Sequence, residues 1–193
     1  MCNAYFVQPK KGMVGRDLHV AEAVERLKIA LIRPTVPGLV MLDGEPVVMR
    51  WGFHRPFNKS INNTRSDNLD GSMWRKAFSE RRCVIPVSGF YEWSGAKGHK
   101  RTHLFTPTDG GYLWIAGIWE ENEEFGRCYS MITTEANSLM KPIHSRMPAV
   151  MEESQHATYL SGGMDVFNPK PGLLKVEDAP NPLTSKPQQG ELF

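Results

Sequence analysis

Cys83-Val84-Ile85-Pro86-Val87, Phe90-Tyr91-Glu92-Trp93, His103-Leu104-Phe105, Leu113-Trp114-Ile115-Ala116 and Tyr129-Ser130-Met131-Ile132 are short runs rich in β-branched and aromatic residues. Turn-formers punctuate them: Ser94-Gly95, Asp109-Gly110-Gly111 and Phe125-Gly126. The pattern predicts short strands joined by tight turns. Further out, Val40-Met41-Leu42 and Val47-Val48-Met49 flank Asp43-Gly44, a dipeptide that tolerates positive φ and joins hairpin strands. Residues 3–7 read as another strand. Two helices are expected. One runs from Asp17 to Ile32, with Asp17 as N-cap and Leu18, Ala21, Val24, Leu27 and Leu31 at helical spacing; the other runs from Ser72 to Arg81, capped by Ser72. Many short strands and few helices make an α+β fold around a curved antiparallel sheet. From Phe167 the chain carries five of its fourteen prolines and little periodicity, so residues 167–193 are expected to run extended over the surface.

The length, 193 residues, suits a single domain over residues 1–193. With 40% hydrophobic and 23% charged residues the composition is that of a folded chain, not a disordered one. A formal net charge of +2 is too small to identify a nucleic-acid partner by itself. The three cysteines, Cys2, Cys83 and Cys128, form no CxxC pair, which argues against a zinc knuckle or a closed disulfide framework. A reducing, intracellular setting follows as the expectation: cytoplasm or nucleoid, or the nucleus of a eukaryote. No apolar run approaches the ~18 residues of a membrane span, and the start lacks a leader pattern, so no membrane partner is expected.

Several residues could carry chemistry. Removal of Met1 would leave Cys2 with a free α-amine and a thiol on adjacent carbons, a 1,2-aminothiol. The amine, with a reference pKa of about 7.7–8.0, can attack an aldehyde, and the thiol can then close onto the imine carbon. The plain alternative is a small residue at a frayed terminus. Glu92 stands among aromatics, where desolvation would suit it to acid or base work; equally, strand alternation could point it to solvent. His144 and Arg146 lie in a proline-bounded stretch, Lys141 to Pro148, that reads as a shaped loop before a strand. Asn63 and Arg65 belong to Asn62-Asn63-Thr64-Arg65, which could orient an amine and bind phosphate or simply turn the chain. The basic groups Arg75-Lys76, Arg81-Arg82 and Lys97-Gly98-His99-Lys100-Arg101 could line a phosphate track, with Trp51, Phe53 and Phe57 as surfaces for base stacking. Cys83 and Cys128, in apolar runs, read as inert structural thiols.

Taken in order, Met1-Cys2, Trp51-Gly52-Phe53, Asn63-Thr64-Arg65, Gly89-Phe90-Tyr91-Glu92-Trp93 and His144-Ser145-Arg146-Met147-Pro148 resemble the SRAP family, the SOS-response-associated peptidase domain that shields abasic sites in single-stranded DNA. The match runs from about residue 2 to 151, with Gln189-Gly190-Glu191-Leu192 as an echo of the family's C-terminal region. The resemblance implies a barrel-like β core and a basic groove. It makes Cys2 the crosslinking nucleophile, forming a thiazolidine. Asn63 positions the amine, Glu92 is the acid/base, and His144 assists ring opening. Arg65 and Arg146 hold flanking phosphates. It further implies self-processing that exposes Cys2, lyase-like chemistry, no metal or organic cofactor, and a monomer acting on single-stranded DNA with abasic sites. Asn3-Ala4 replaces the Gly-Arg usual in the family, which removes one expected phosphate contact.

Two other readings use the same residues. In a cysteine peptidase, Cys2 would attack an amide with His144 as base and would turn over an external peptide. In a plain single-strand-binding module, the basic residues and aromatics would bind DNA without forming an adduct.

Overall fold

A computed structural model describes residues 2–27, 31–96, 98–164 and 167–184. The strands are β1 (Ala4–Phe6), β2 (Leu31–Ile32), β3 (Pro37–Leu42), β4 (Glu45–Trp51), β5 (Phe53–Arg55), β6 (Asn58–Ile61), β7 (Asn63–Arg65) and β8 (Arg82–Val87), then β9 (Gly89–Ser94), β10 (Arg101–Pro107), β11 (Leu113–Asn122), β12 (Gly126–Glu135), β13 (Arg146–Pro148), β14 (Val150–Met151) and β15 (Leu174–Asp178). Three helices accompany them: α1 (Gly15–Leu27), α2 (Arg75–Glu80) and α3 (His156–Leu160). Each strand-rich run of the sequence lies in a strand, and the fold is α+β with a barrel-like core.

The barrel closes on itself. Strand β12 pairs with β4, β4 with β3, β3 with β8, β8 with β11, and β11 again with β12. Its β3–β4 hairpin turns at Asp43 (φ 50°) and Gly44 (φ 87°), the two positive-φ positions that suit a tight hairpin. A second sheet, in the order β15-β10-β9-β1-β2, is reached where β8 runs through Ser88 into β9. At that corner Gly89 faces the Phe6 ring and the Phe105 carbonyl, with no room for a Cβ.

Aromatic residues fill the barrel. Trp51 meets Tyr5 edge-on (5.0 Å between centroids) and stacks on Tyr129 (6.4 Å). The two tyrosine hydroxyls, both fully buried, hydrogen-bond to each other. A buried hydroxyl without a partner is costly, so each answers the other's desolvation. Gly38 lies against both hydroxyls.

Two expectations are corrected. The first helix ends at Leu27; Leu31–Ile32 is instead a strand whose Ile32 pairs with Tyr5, and residues 28–30 lie outside the described residues. Pairing with the edge of β1 overrides helical spacing there, and Leu18 of the expected apolar stripe is exposed. The second helix begins at Arg75, with Trp74 rather than Ser72 at its N-cap. Within the segment expected to run extended, β15 adds an edge strand on β10, with Leu174 buried and Lys175 exposed in alternation. Residues 185–193, including Gln189 to Leu192, lie outside the described residues. Among the described residues no helix is long and apolar enough to cross a membrane.

Gly38→Ala would drive a methyl group into the paired hydroxyls of Tyr5 and Tyr129. A loss of about 1–3 kcal/mol, the usual cost of overpacking, is expected as a lower urea midpoint. An unchanged midpoint would mean that this contact relaxes freely.

Candidate active site

Two strands from different sheets bring the candidate residues together. Cys2 and Asn3 lead directly into strand β1. Strand β7 lies parallel to β12, with Asn63 opposite Met131, Thr64 opposite Ile132 and Arg65 opposite Thr133. Thr64 points inward, where its hydroxyl meets Ser130 (2.8 Å), so alternation turns Asn63 and Arg65 to the other face. The preceding Asn62 carbonyl accepts from the Trp51 indole N–H (2.9 Å) and from the Met131 amide (3.0 Å), which fixes the approach to this strand.

Two carboxamides converge on residue 2. Asn63 Nδ2 donates to the Cys2 carbonyl at 2.8 Å and Asn62 Nδ2 donates to the same oxygen at 3.2 Å. Asn62 also reaches Asn3 Oδ1 (3.1 Å). Asn63, the residue that the resemblance assigns to the amine, therefore meets residue 2 at its carbonyl through Nδ2. Its Oδ1 is buried and has no hydrogen-bond partner among the described residues. Asn62 belongs to the stretch that could orient an amine or turn the chain, and nothing in the sequence singles it out beside Asn63.

The Cys2 thiol is buried and its pKa is pushed well up, first by desolvation and then by the nearby Glu92 carboxylate. Glu92 follows Tyr91, the cross-strand partner of Ala4, and is 3% exposed. Alternation therefore turns Glu92 inward, while Tyr91 and Trp93 are only half-buried. Directly opposite Glu92 on β10 is His103, so the two share a face of the sheet. His103 is held by Ser94 Oγ on Nε2 (2.7 Å) and by Asp178 at Nδ1 (3.3 Å), a polar chain that the sequence did not signal. Cys83 and Cys128 are buried in the barrel, and burial raises both thiol pKa values.

Arg65 and Arg146 form a second group. Arg146 leads β13, which continues along β12 with Arg146 opposite Glu135. Asp67 joins the two arginines: its carboxylate takes Nε of Arg65 at 3.0 Å and Nη2 at 2.5 Å, and stands 3.4 Å from Nη2 of Arg146. The Arg65 hydrogen bond is the main cause that holds the Asp67 carboxyl down to about 2. His144 lies in the loop before β13, where its Nδ1 accepts the Arg146 amide N–H (2.9 Å). The same Nδ1 lies 3.0 Å from the Arg146 carbonyl oxygen, so the two contacts call for opposite tautomers of the ring.

The stacking residues separate. Phe57, between β5 and β6, is 72% exposed, whereas Trp51 and Phe53 are fully buried, so those two are corrected from stacking surfaces to core. The faces of Trp51 are taken by Tyr5 and Tyr129, and Phe53 packs on Trp74. Arg82 is also corrected: its guanidinium donates to the carbonyls of Phe78, Tyr159 and Gly163 and pins α2 and α3 to the barrel. Met1 and Lys97 lie outside the described residues.

The model of the SOS response associated peptidase (SRAP) family matches residues 1–180. Among curated proteins, the abasic site processing protein YMR114C of Saccharomyces cerevisiae is 28% identical over 114 residues, 54% of this chain and 31% of its own length. YoqW of Bacillus subtilis, also named an abasic site processing protein, is 29% identical over 126 residues, 58% of this chain and 56% of its own. HMCES of Xenopus tropicalis, named likewise, is 31% identical over 137 residues, covering 54% and 41%. The chain thus spans between about a third and just over half of these relatives. Crystal structures of a protein from Bordetella bronchiseptica (TM-score 0.74, 22% identity, 93% of this chain and 100% of that one) and one from Bacteroides thetaiotaomicron (0.75, 19%, 93% of each) share the fold.

The clamp on Cys2 should govern access to its thiol. A hydrogen bond of about 0.5–1.5 kcal/mol corresponds to roughly two- to tenfold in an opening equilibrium. Asn62→Ala and Asn63→Ala are each expected to speed iodoacetamide alkylation of Cys2 by about that factor and to leave Cys83 unchanged, as read by peptide mass spectrometry. Equal acceleration at Cys83 would mean general loosening instead.

Proposed function

Because the chain belongs to the SOS response associated peptidase (SRAP) family, we propose that it captures abasic sites in single-stranded DNA by a covalent bond to Cys2, after self-processing has removed Met1. The observation that carries this reading is the setting of residue 2. Two amides hold its carbonyl, a buried carboxylate lies within electrostatic reach of its thiol, and the buried Asn63 Oδ1 is an acceptor without a donor among the described residues. A free α-amine at Cys2 is the donor that this oxygen would take.

The chemistry follows from the groups present. An abasic deoxyribose must open to expose its C1′ aldehyde, and Glu92, with His144, moves the proton that opening requires. The neutral amine attacks the carbonyl carbon and the carbinolamine loses water to give an imine. Sulfur then adds to the same carbon while its proton passes to the nitrogen, closing the thiazolidine. The raised thiol pKa sets this order: sulfur rests as the protonated thiol, a poor nucleophile, so the amine acts first. Arg65 and Arg146 would hold the flanking phosphates, and exposed Phe57 would offer a face to a base. None of these steps calls on a metal or organic cofactor. The reading has the protein acting as a monomer wherever the cell keeps its DNA.

Single-stranded DNA with one abasic site should give a denaturation-resistant band shift, with the added mass on residue 2. Cys2→Ala is expected to give no stable adduct, since an amine alone forms only a hydrolysable imine. A normal yield from that variant would overturn the thiazolidine route.

Glu92→Gln keeps the side-chain shape but loses the proton transfer, so single-turnover crosslinking should slow by about 10²–10⁴-fold. An uncleavable extension before Cys2 should abolish crosslinking, because an amide nitrogen is not nucleophilic. Turnover of an external peptide without any DNA adduct would favour the peptidase reading.

A further inference from the structure

We propose that Asp67 is a built-in competitor for the DNA phosphates at Arg65 and Arg146, and that it weakens the hold on strands that carry no abasic site. The inference rests on the reading of those two arginines as phosphate ligands and adds the residue that tunes them.

The geometry comes from how β12 is bordered. Strand β7 brings Arg65 opposite Thr133, and β13 brings Pro148 opposite the same residue, so Arg65 and Arg146 come in from opposite sides of β12. The turn Ser66–Asn68 directly after β7 then puts Asp67 between them. Asp67 does not merely lie nearby. Both of its oxygens take the Nε/Nη2 fork of Arg65, at 3.0 and 2.5 Å, the bidentate arrangement by which a guanidinium also grips two phosphate oxygens. Arg146 is 9% exposed; its Nη2 donates to the Thr133 carbonyl and its Nε is buried with no hydrogen-bond partner among the described residues. Its guanidinium is therefore anchored, and Asp67 is the carboxylate beside it.

Arg65, Arg146 and Asp67 together carry a formal +1 where the two arginines alone would carry +2, and Glu135 also lies within electrostatic reach of Arg146. With its carboxyl held down to about 2, Asp67 stays ionised throughout the physiological range, so an incoming anion rather than a proton must displace it. Displacement is feasible because the Asp67 side chain is 52% exposed and that of Arg65 is 58% exposed, and exposed ion pairs are weak. Every phosphodiester that enters meets this competition, whether or not the strand is damaged. A strand with an aldehyde can still be retained by the covalent bond, whereas an intact strand has only the weakened electrostatic hold. Asp67 thus favours release of intact DNA.

The test is the affinity for an intact single-stranded oligonucleotide across a salt series. Asp67→Asn, nearly isosteric, is expected to tighten binding about two- to fivefold at low salt. It should also steepen the logarithmic salt dependence by about 0.7, the value of one further neutralised phosphate on a single strand. Asp67→Glu, which keeps the charge, should bind as the wild type does. In an Arg65→Ala background the effect of Asp67→Asn should largely vanish. Weaker or unchanged binding by Asp67→Asn, with Arg65→Ala still impaired, would overturn the competitor role and leave the phosphate site standing. Undiminished binding by Arg65→Ala would overturn both, because the arginine would then not be a phosphate ligand.

Discussion

Strand β12 is bonded along both edges by four different strands, and the rest of the molecule depends on that double pairing. One edge takes β4 and then β7, both parallel; the other takes β11 and then β13, both antiparallel. A strand of ten residues has room for two short partners on each side, and its buried N–H and C=O groups must all be answered. The half that pairs β4 and β11 closes the barrel. The half that pairs β7 and β13 brings up Asn63, Arg65 and Arg146. Fold and candidate site are therefore two ends of one strand, and a register slip in β12 would disturb both.

The interior of the barrel reaches the site through Trp51. Its ring is locked between Tyr5 and Tyr129, and its indole N–H holds the carbonyl of Asn62, whose side chain in turn helps clamp Cys2. Tyr5 lies on the same strand that leads from Cys2. Aromatic packing of this kind restricts rotamers at little entropic cost, which is how an apolar core can hold a polar site to a fixed geometry. The buried tyrosine pair adds a directional hydrogen bond where apolar side chains would have left the strands free to slide.

Electrostatically the site has two parts. Around Cys2 the environment is buried and carboxylate-lined, which keeps the thiol protonated and suits chemistry that begins at nitrogen. Two residues along β7, the environment is exposed and cationic, tempered by Asp67. Strand alternation places both parts on one face, because Asn63 and Arg65 are two positions apart. A strand lying across that face would meet carbonyl chemistry and phosphate recognition side by side. On the proposed reading, retention by a covalent bond would relax the need for tight electrostatic binding, and a tempered arginine pair would fit that division of labour.

The sequence by itself determined the strand-rich runs, the Asp43-Gly44 turn, the burial of Cys83 and Cys128, and the family to which the ordered motifs belong. Those are local facts: β-branched and aromatic runs, positive-φ dipeptides and short motifs survive without knowledge of what packs where. The closure of the barrel was not legible, because parallel pairing of β4 and β7 with β12 joins segments far apart in the chain and leaves no periodic trace. Leu31–Ile32 reads as a helix end, and Leu174–Asp178 as extended chain with no partner assigned, because two edge strands are stabilised by the partners β1 and β10, not by their own composition. The side to which Glu92 points, the burial of Trp51 and Phe53, the second carboxamide from Asn62 and the bridging carboxylate of Asp67 were likewise decided by tertiary structure. Each depends on which face of a strand meets which neighbour, and alternation along a single strand offers two faces without saying which one the rest of the chain will cover.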